Sequence, residues 1–397
     1  MTKILFAWEL GANYGHLMSD LPLAKCLRAR GHDVWFAVCD IHVAQALLGP
    51  HDFPFAACPT LARSPQQSRP PVNFSDILAA QGYGDIQTLS ALVNAWIALL
   101  RAIKPQVVVA DHAPTALLAA RILSLPTVPI GAPFTIPPLL DPLPSIRPWE
   151  SISQAALLQA DRRVLTTINE VLGNHRRPLL ERIADLFAGS VPQLTTVVEL
   201  DFGAPRAAAS YLGPITSPET QARVAWNGVS DKKRVFAYLR PTVPGLESMF
   251  NALRTLPIDL ICVIPGASGS MIERLRGEGI CARNTPVDLA ALLPDCDLVI
   301  GYGGLGGIAQ ALLHGVPLLL MPHALEHQLN TRQAALLGAA IDLETRRTVD
   351  RCSWALTELL FNPSYGNNAR ALRDKYSAFD NQSAVEDAAG VILSACG

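Results

Sequence analysis

The chain has 397 residues, half of them hydrophobic and 17% charged, which excludes a disordered chain and is too long for one compact core. Lys plus Arg is 32 against 34 Asp plus Glu, a net charge of −2, so neither a basic surplus for nucleic acid nor an acidic solvating tail is present. Eight cysteines without a C-x-x-C pair, several in apolar surroundings, read as reduced thiols in a reducing compartment. The N-terminal apolar run is too short for a signal peptide, and every long apolar stretch is broken by a charge, Pro or Gly, so a cytoplasmic protein without a membrane span is expected.

In chain order, Lys3 to Trp8 predicts a buried parallel strand, followed by the turn Gly11 to His16 and a helix over Leu17 to Ala29 that Gly31 stops. Asp33 to Val38 predicts a second strand, completing a βαβ unit. Gln106 to Ala110 predicts a strand ending at Asp111, Thr115 to Leu123 a helix, and Thr127 to Ile130 another strand. Proline-rich loops at Pro65 to Pro71 and Pro133 to Pro148 do not build sheet and read as walls of a site. A second βα series starts at Arg234, with strands at Val235 to Leu239, Leu260 to Ile264, Leu298 to Ile300 and Val316 to Met321, and helices at Gly245 to Leu256 and Ile308 to Leu313. The class is therefore α/β with two domains: residues 1–212, a linker at 213–228 rich in turn residues, 229–375, and a closing helix at 376–397.

The densest chemistry lies at Asp295 to Gly307, where a strand runs into five glycines and out into a helix. Glycine backbone can approach a ligand closely, and a helix N-terminus carries about half a positive charge, so this turn suits a phosphate or diphosphate. Gly301, Gly303 and Gly306 also fit G-x-G-x-x-G, but the next strand ends in Met321-Pro322-His323 without the acidic residue a nicotinamide cofactor needs; Glu326 stands nearby in the wrong local setting. His323 and His327 are four apart with no third ligand in view, so no metal site is expected.

Gly303-Gly304-x-Gly306, Ala311-Leu312, Gly315-Val316-Pro317, Pro322, Gln328-x-Asn330 and Gly338 together resemble the donor signature of family 1 glycosyltransferases, the UDP-glycosyltransferases of plants and the macrolide and glycopeptide transferases of bacteria. Pro286-Val287-x-Leu289, Leu293-Pro294-x-Cys296-Asp297, the opening Gly15-His16 and Arg30-Gly31-His32-Asp33-Val34 extend the likeness to both halves of the chain. The resemblance implies the GT-B fold, two facing Rossmann-like parallel-sheet domains with a cleft between them, the closing helix returning to the first domain. It implies an inverting, metal-independent transfer of a sugar from a nucleoside-diphosphate sugar, UDP or dTDP, to an acceptor hydroxyl, and the Pro-, Leu- and Ile-rich loops at Pro65 to Pro71 and Pro133 to Pro148 favour a small, apolar acceptor. The donor is a co-substrate, and no resident cofactor, nucleic-acid partner or membrane span is implied; the oligomeric state is left open.

The resemblance makes His16 the catalytic base and Asp111 its orienting acid, with His112 as a neighbouring candidate. An imidazole titrates near neutrality and can take a hydroxyl proton, and a paired carboxylate fixes its tautomer. Donor contacts are expected from Gly266, Pro286, Val287, Tyr302, Gly303, Gly304, Leu305, Gly306, Gly307, Gln310, Glu326, His327 and Gln328, and acceptor contacts from Asn13, Tyr14, Phe134 and Trp149. Four positions depart from the family pattern: Tyr302 stands for the usual histidine, Gly307 for a threonine or serine, Gln310 for an acid, and His327-Gln328 for an acid–glutamine pair. The diphosphate should then rest on backbone N–H groups, with Arg240 adding a cation. A non-hydrolysing sugar-nucleotide epimerase, an NAD-dependent oxidoreductase and a silent nucleotide-sugar-binding protein are the competing classes.

Overall fold

In this computed structural model, residues 1–12, 14–61, 69–216, 223–226, 231–344 and 347–396 are described. The chain divides into two compact units. One comprises Met1–Val198, Gly203–Thr216 and Asp380–Gly397; the other comprises Glu199–Phe202 and Ser217–Phe379. Parts of the expected linker, 217–222 and 227–228, lie outside the described residues, as do 65–68 of the first proline-rich loop and Asn13.

The first unit runs β1 (Lys3–Trp8), α1 (Gly15–Ala29), β2 (Asp33–Val38), α2 (Ile41–Leu47), β3 (Phe55–Ala57), α3 (Phe74–Leu78), α4 (Ile86–Ile103), β4 (Val107–Asp111), α5 (Pro114–Leu123), β5 (Thr127–Gly131), α6 (Gln154–Asn174), β6 (Gln193–Leu194) and β7 (Ser210–Tyr211). The second runs β8 (Lys233–Tyr238), α7 (Leu246–Leu253), β9 (Ile258–Val263), α8 (Gly269–Gly277), β10 (Cys281–Arg283), α9 (Leu289–Leu292), β11 (Leu298–Gly301), α10 (Leu305–Leu313), β12 (Leu318–Leu320), α11 (Leu325–Leu336), β13 (Ala340–Asp342), α12 (Val349–Phe361) and α13 (Pro363–Lys375). The last helix, α14 (Asn381–Ser394), belongs to the first unit and packs on α1.

Each unit is built on one all-parallel sheet, ordered β3-β2-β1-β4-β5-β6-β7 and β10-β9-β8-β11-β12-β13. Parallel neighbours need crossover connections, and α-helices supply them for every neighbouring pair except β6 and β7. In the first sheet the strand order reverses between β1 and β4, in the second between β8 and β11, and ligands of such sheets bind at the carboxyl ends beside that reversal.

Among the described residues, α4 is the one helix with the length and apolar content to cross a membrane; it contains Arg101. Its Leu89, Val93, Trp96 and Leu100 are buried in the first unit's core with Leu5, Val108 and Ala116. Each such side chain contributes about 1.5–3 kcal/mol by leaving water. Asp85 starts this helix by accepting the N–H of Thr88 at 2.8 Å, and Lys104 ends it in the left-handed region.

Candidate functional site

Trp8 and Asp111 are register partners at the carboxyl ends of β1 and β4. The chain leaves β1 through Gly11, at φ +95°, and enters α1 at Gly15, placing His16 in the first helical turn. The β1–α1 and β4–α5 connections are tied directly: the N–H of Leu10 donates to the carbonyl of His112 at 3.0 Å. His112 holds a left-handed φ of 47° there, a conformation uncommon outside glycine.

These constraints bring His16 Nδ1 to 2.7 Å from Asp111 Oδ2. The pair is partly buried, with 19% and 5% of the two side chains exposed. With its proton on Nδ1 the imidazole donates to the carboxylate, leaving Nε2 basic. Trp8 stacks on the His16 ring at 5.4 Å. A Cβ on Gly11 would stand 2.5 Å from Nε2, so only a glycine fits beside that edge of the ring. Gly131, at φ +136°, does the same for the acid, since a Cβ there would meet Asp111 Oδ1 at 2.7 Å.

His112 is buried, and burial followed by the charge of His16 pushes its imidazole down to about 3. It is therefore neutral at ordinary pH and is not the partner of Asp111. Nor does Asp111 cap the following helix: that N-terminus is served by Glu9, whose Oε2 accepts the N–H of Thr115 at 2.8 Å and of Ala116 at 3.4 Å.

In the second unit, β11 delivers Gly301 opposite Tyr238 of β8, and α10 opens at Gly304 with no side chain capping it. Gly303 has φ +97°, and a Cβ would meet the carbonyl oxygen of His327 at 2.8 Å and Thr331 Oγ1 at 2.9 Å. Asn330 Nδ2 donates to the Gly303 carbonyl at 3.1 Å and fixes the turn. Gly306 and Gly307 face open space, with no atom within 4 Å of a built Cβ. Tyr302 lies 4.9 Å from the His327 ring and 5.7 Å from that of His323, and the Arg240 guanidinium sits 5.5 Å over its face. Burial, then His323 and Arg240, push His327 down to about 4, so it is a neutral hydrogen-bonding group. Arg240 Nε, His327 Nδ1 and Thr331 Oγ1 are buried and without partners among the described residues. An uncapped helix N-terminus, an arginine and polar atoms unpartnered among the described residues, gathered around one glycine turn, have the chemistry to hold an anion.

Comparison with known proteins gives these two geometries a context. Residues 248–386 match the family model described as erythromycin biosynthesis protein CIII-like, C-terminal domain. A PGL/p-HBAD biosynthesis glycosyltransferase of Mycobacterium tuberculosis is 25% identical over 409 residues, covering 94% of this chain and 88% of the relative. The 4'-demethylrebeccamycin synthase of Lentzea aerocolonigenes is 24% identical over 417 residues, covering 95% and 96%. The solved spinosyn rhamnosyltransferase SpnG, complexed with thymidine diphosphate, superposes with a TM-score of 0.71 over 98% of this chain and 99% of its own, at 18% identity. The chain is a glycosyltransferase with the GT-B fold.

The glycosyltransferase places the remaining expected residues unevenly. Tyr14 is the N-cap position of α1 and makes no side-chain cap. Phe134 is 8% exposed and packs edge-on against His112 at 6.3 Å and Phe74 at 6.2 Å, which puts it in the aromatic wall next to the dyad. Trp149 stands 40% exposed, and the ring contacts around His16 do not include it. Gly266 is a left-handed turn beyond β9 with open space around it. Pro286 is half-buried, whereas Val287 and Leu305 point inward, so only their backbone is free to meet a ligand. Gln310 folds onto its own helix, Nε2 donating to the Gly306 carbonyl at 3.3 Å. Glu326, His327 and Gln328 form the half-buried first turn of α11. Sequence reasoning missed Glu9, Asp20, Thr331 and Arg347. Arg347 donates from Nη1 to the Pro244 carbonyl at 2.8 Å and from Nη2 to that of Pro322, joining the loops after β8 and β12. Only Asp20 carries a local signal, a charged residue in an otherwise apolar helix face.

Proposed function

We propose that this glycosyltransferase moves a sugar from a dTDP- or UDP-sugar onto a hydroxyl of a small, apolar acceptor, with inversion at the anomeric carbon, without a metal ion or resident cofactor, in the cytoplasm. The observation that carries the reading is the His16–Asp111 hydrogen bond at the strand-order reversal. In the proposed step, His16 Nε2 takes the acceptor hydroxyl proton while Asp111 holds the Nδ1 proton and balances the imidazolium charge. The acceptor oxygen bonds to the anomeric carbon from the face opposite the diphosphate as the bond to the diphosphate oxygen breaks. The leaving charge is stabilised by the N–H groups at the start of α10 and by Arg240, which do the work a metal ion would otherwise do.

Support for a thymidine nucleotide comes from the SpnG complex, whose bound ligand is thymidine diphosphate. Support for an apolar acceptor comes from the aromatic surroundings of the dyad, Trp8, Phe74 and Phe134. The test is His16→Ala. Turnover is expected to fall at least about a hundredfold, the usual size of general-base loss, with nucleotide affinity unchanged. Undiminished turnover removes His16 from the mechanism.

A further inference from the structure

Asp20 has no part in the step above, yet it lies where a carboxyl group is costly to hold. It follows His16 by four residues on α1, which puts both side chains on one helix face, a turn apart. It is 1% exposed, and its Oδ2 has no hydrogen-bond partner among the described residues. Asp111 is in the complementary state: Oδ2 is occupied by His16, while Oδ1 is buried and without a partner among the described residues.

The elements packed against α1 bring Lys3 on β1, Asp33 on β2, His42 on α2, and Glu386 and Asp387 on α14; the turns beside the dyad bring Glu9 and His112. Among all of these and Asp111, it is the Asp111 charge that acts on Asp20, adding to burial in raising its carboxyl well above the usual range. Two buried carboxyl groups that feel each other do not both ionise, and Asp111 is the one with an imidazole beside it, so Asp20 keeps the proton. A protonated carboxyl has an O–H to donate, and an unpartnered carboxylate oxygen lacks a donor.

We infer that Asp20 is a neutral acid that positions and tempers the dyad, its O–H serving Asp111 Oδ1 and drawing off part of the negative charge that faces His16. Asp20 acts through Asp111 and sets the basicity of the imidazole; it does not reach substrate. The inference rests on the reading of His16 as the base.

The experiment is an NMR titration of the His16 ring in the full chain, in wild type, Asp20→Asn and Asp20→Leu, with folding checked by thermal unfolding. Asparagine keeps a donor and carries no charge, so the His16 midpoint is expected to stay near the wild-type value. Leucine removes the donor and leaves Asp111 its full charge, so the midpoint is expected to rise by about half a unit or more. The acid limb of the pH–rate profile of transfer should move to higher pH in the same variant. A fall of the midpoint in Asp20→Asn means that an ionised Asp20 had been supplying negative charge, and overturns the inference. An unmoved midpoint in Asp20→Leu overturns it too, and Asp20→Ala, which also lacks a donor and carries the same expected rise, is read in its place if the leucine variant does not fold. Undiminished turnover in His16→Ala would instead overturn the reading of His16 as base and leave the titration result standing.

Discussion

His16 Nδ1 and Asp111 Oδ2 lie 2.7 Å apart across 95 residues of chain. The contact exists because β1 pairs with β4 in register, Trp8 against Asp111, and because the two following turns are pinned by the Leu10–His112 hydrogen bond. The dyad is thus a product of sheet topology, and small changes in the turns should be felt at the imidazole.

Gly11 is the sharpest case. Its φ is +95° and a Cβ would stand 2.5 Å from His16 Nε2. Gly11→Ala is expected to displace the ring and lower kcat by about a hundredfold, the scale of an ångström misplacement, with nucleotide affinity unchanged. Steady-state kinetics and nucleotide calorimetry on the same preparation check this; an unaltered kcat would mean that the ring edge facing Gly11 is not the working one.

The glycine turn of the second unit offers a contrast between neighbours. Gly303→Ala meets a carbonyl at 2.8 Å with a left-handed φ and is expected to destabilise the fold by about 2 kcal/mol or more. Gly307→Ala has open space on a helical backbone and is expected to stabilise by about 0.5–1 kcal/mol. It should nonetheless weaken nucleotide binding by about tenfold, since its methyl occupies the approach to the helix N-terminus. Urea unfolding and calorimetry separate the two effects. Unweakened binding in Gly307→Ala would move the diphosphate away from this turn.

Arg240 Nε is buried beside Tyr302 and has no partner among the described residues. Arg240→Ala is expected to weaken binding of a nucleoside diphosphate by about tenfold or more, as for loss of a charge-assisted hydrogen bond. The free nucleoside should bind as before. Equal weakening of both would assign Arg240 a structural role.

Much of this was legible in the chain. Apolar strand runs, glycine turns and helical spacing are local, so both βα series, the Gly301–Gly307 turn and His16 at the first helix start could be read directly. Asp111 was legible as the end of an apolar run, but the partnership required the pairing of β1 with β4. The strands Gln193–Leu194 and Ser210–Tyr211 were not, because two residues carry no periodicity. Glu9 was missed because its role, capping α5, spans 106 residues. Arg347 was missed for the same reason, since it joins carbonyls 103 and 25 residues away.

Glu9 also makes stability depend on pH. Burial, partly offset by the N–H and hydroxyl groups it meets, pushes its carboxyl up to about 7 from 4.5. The folded state therefore binds the extra proton between those values: the stabilisation is complete below pH 4.5 and is lost as pH rises through about 7. Glu9→Gln is expected to flatten this part of the curve, so that urea midpoints of variant and wild type converge toward pH 4.5 and separate in favour of glutamine above pH 7. A constant difference across that window would show that Glu9 titrates alike folded and unfolded.

The central claim, that a nucleotide-sugar donor binds at the glycine turn of the second unit, is tested most directly by thermal unfolding with dTDP, UDP, GDP, ADP and NAD. A ligand specific to the folded state at about 100 times its dissociation constant adds roughly 2.7 kcal/mol. The expected result is a clear rise with dTDP or UDP, cut to about half or less in Arg240→Ala, and none with NAD. A rise with NAD alone, or none with any nucleoside diphosphate, would contradict the account.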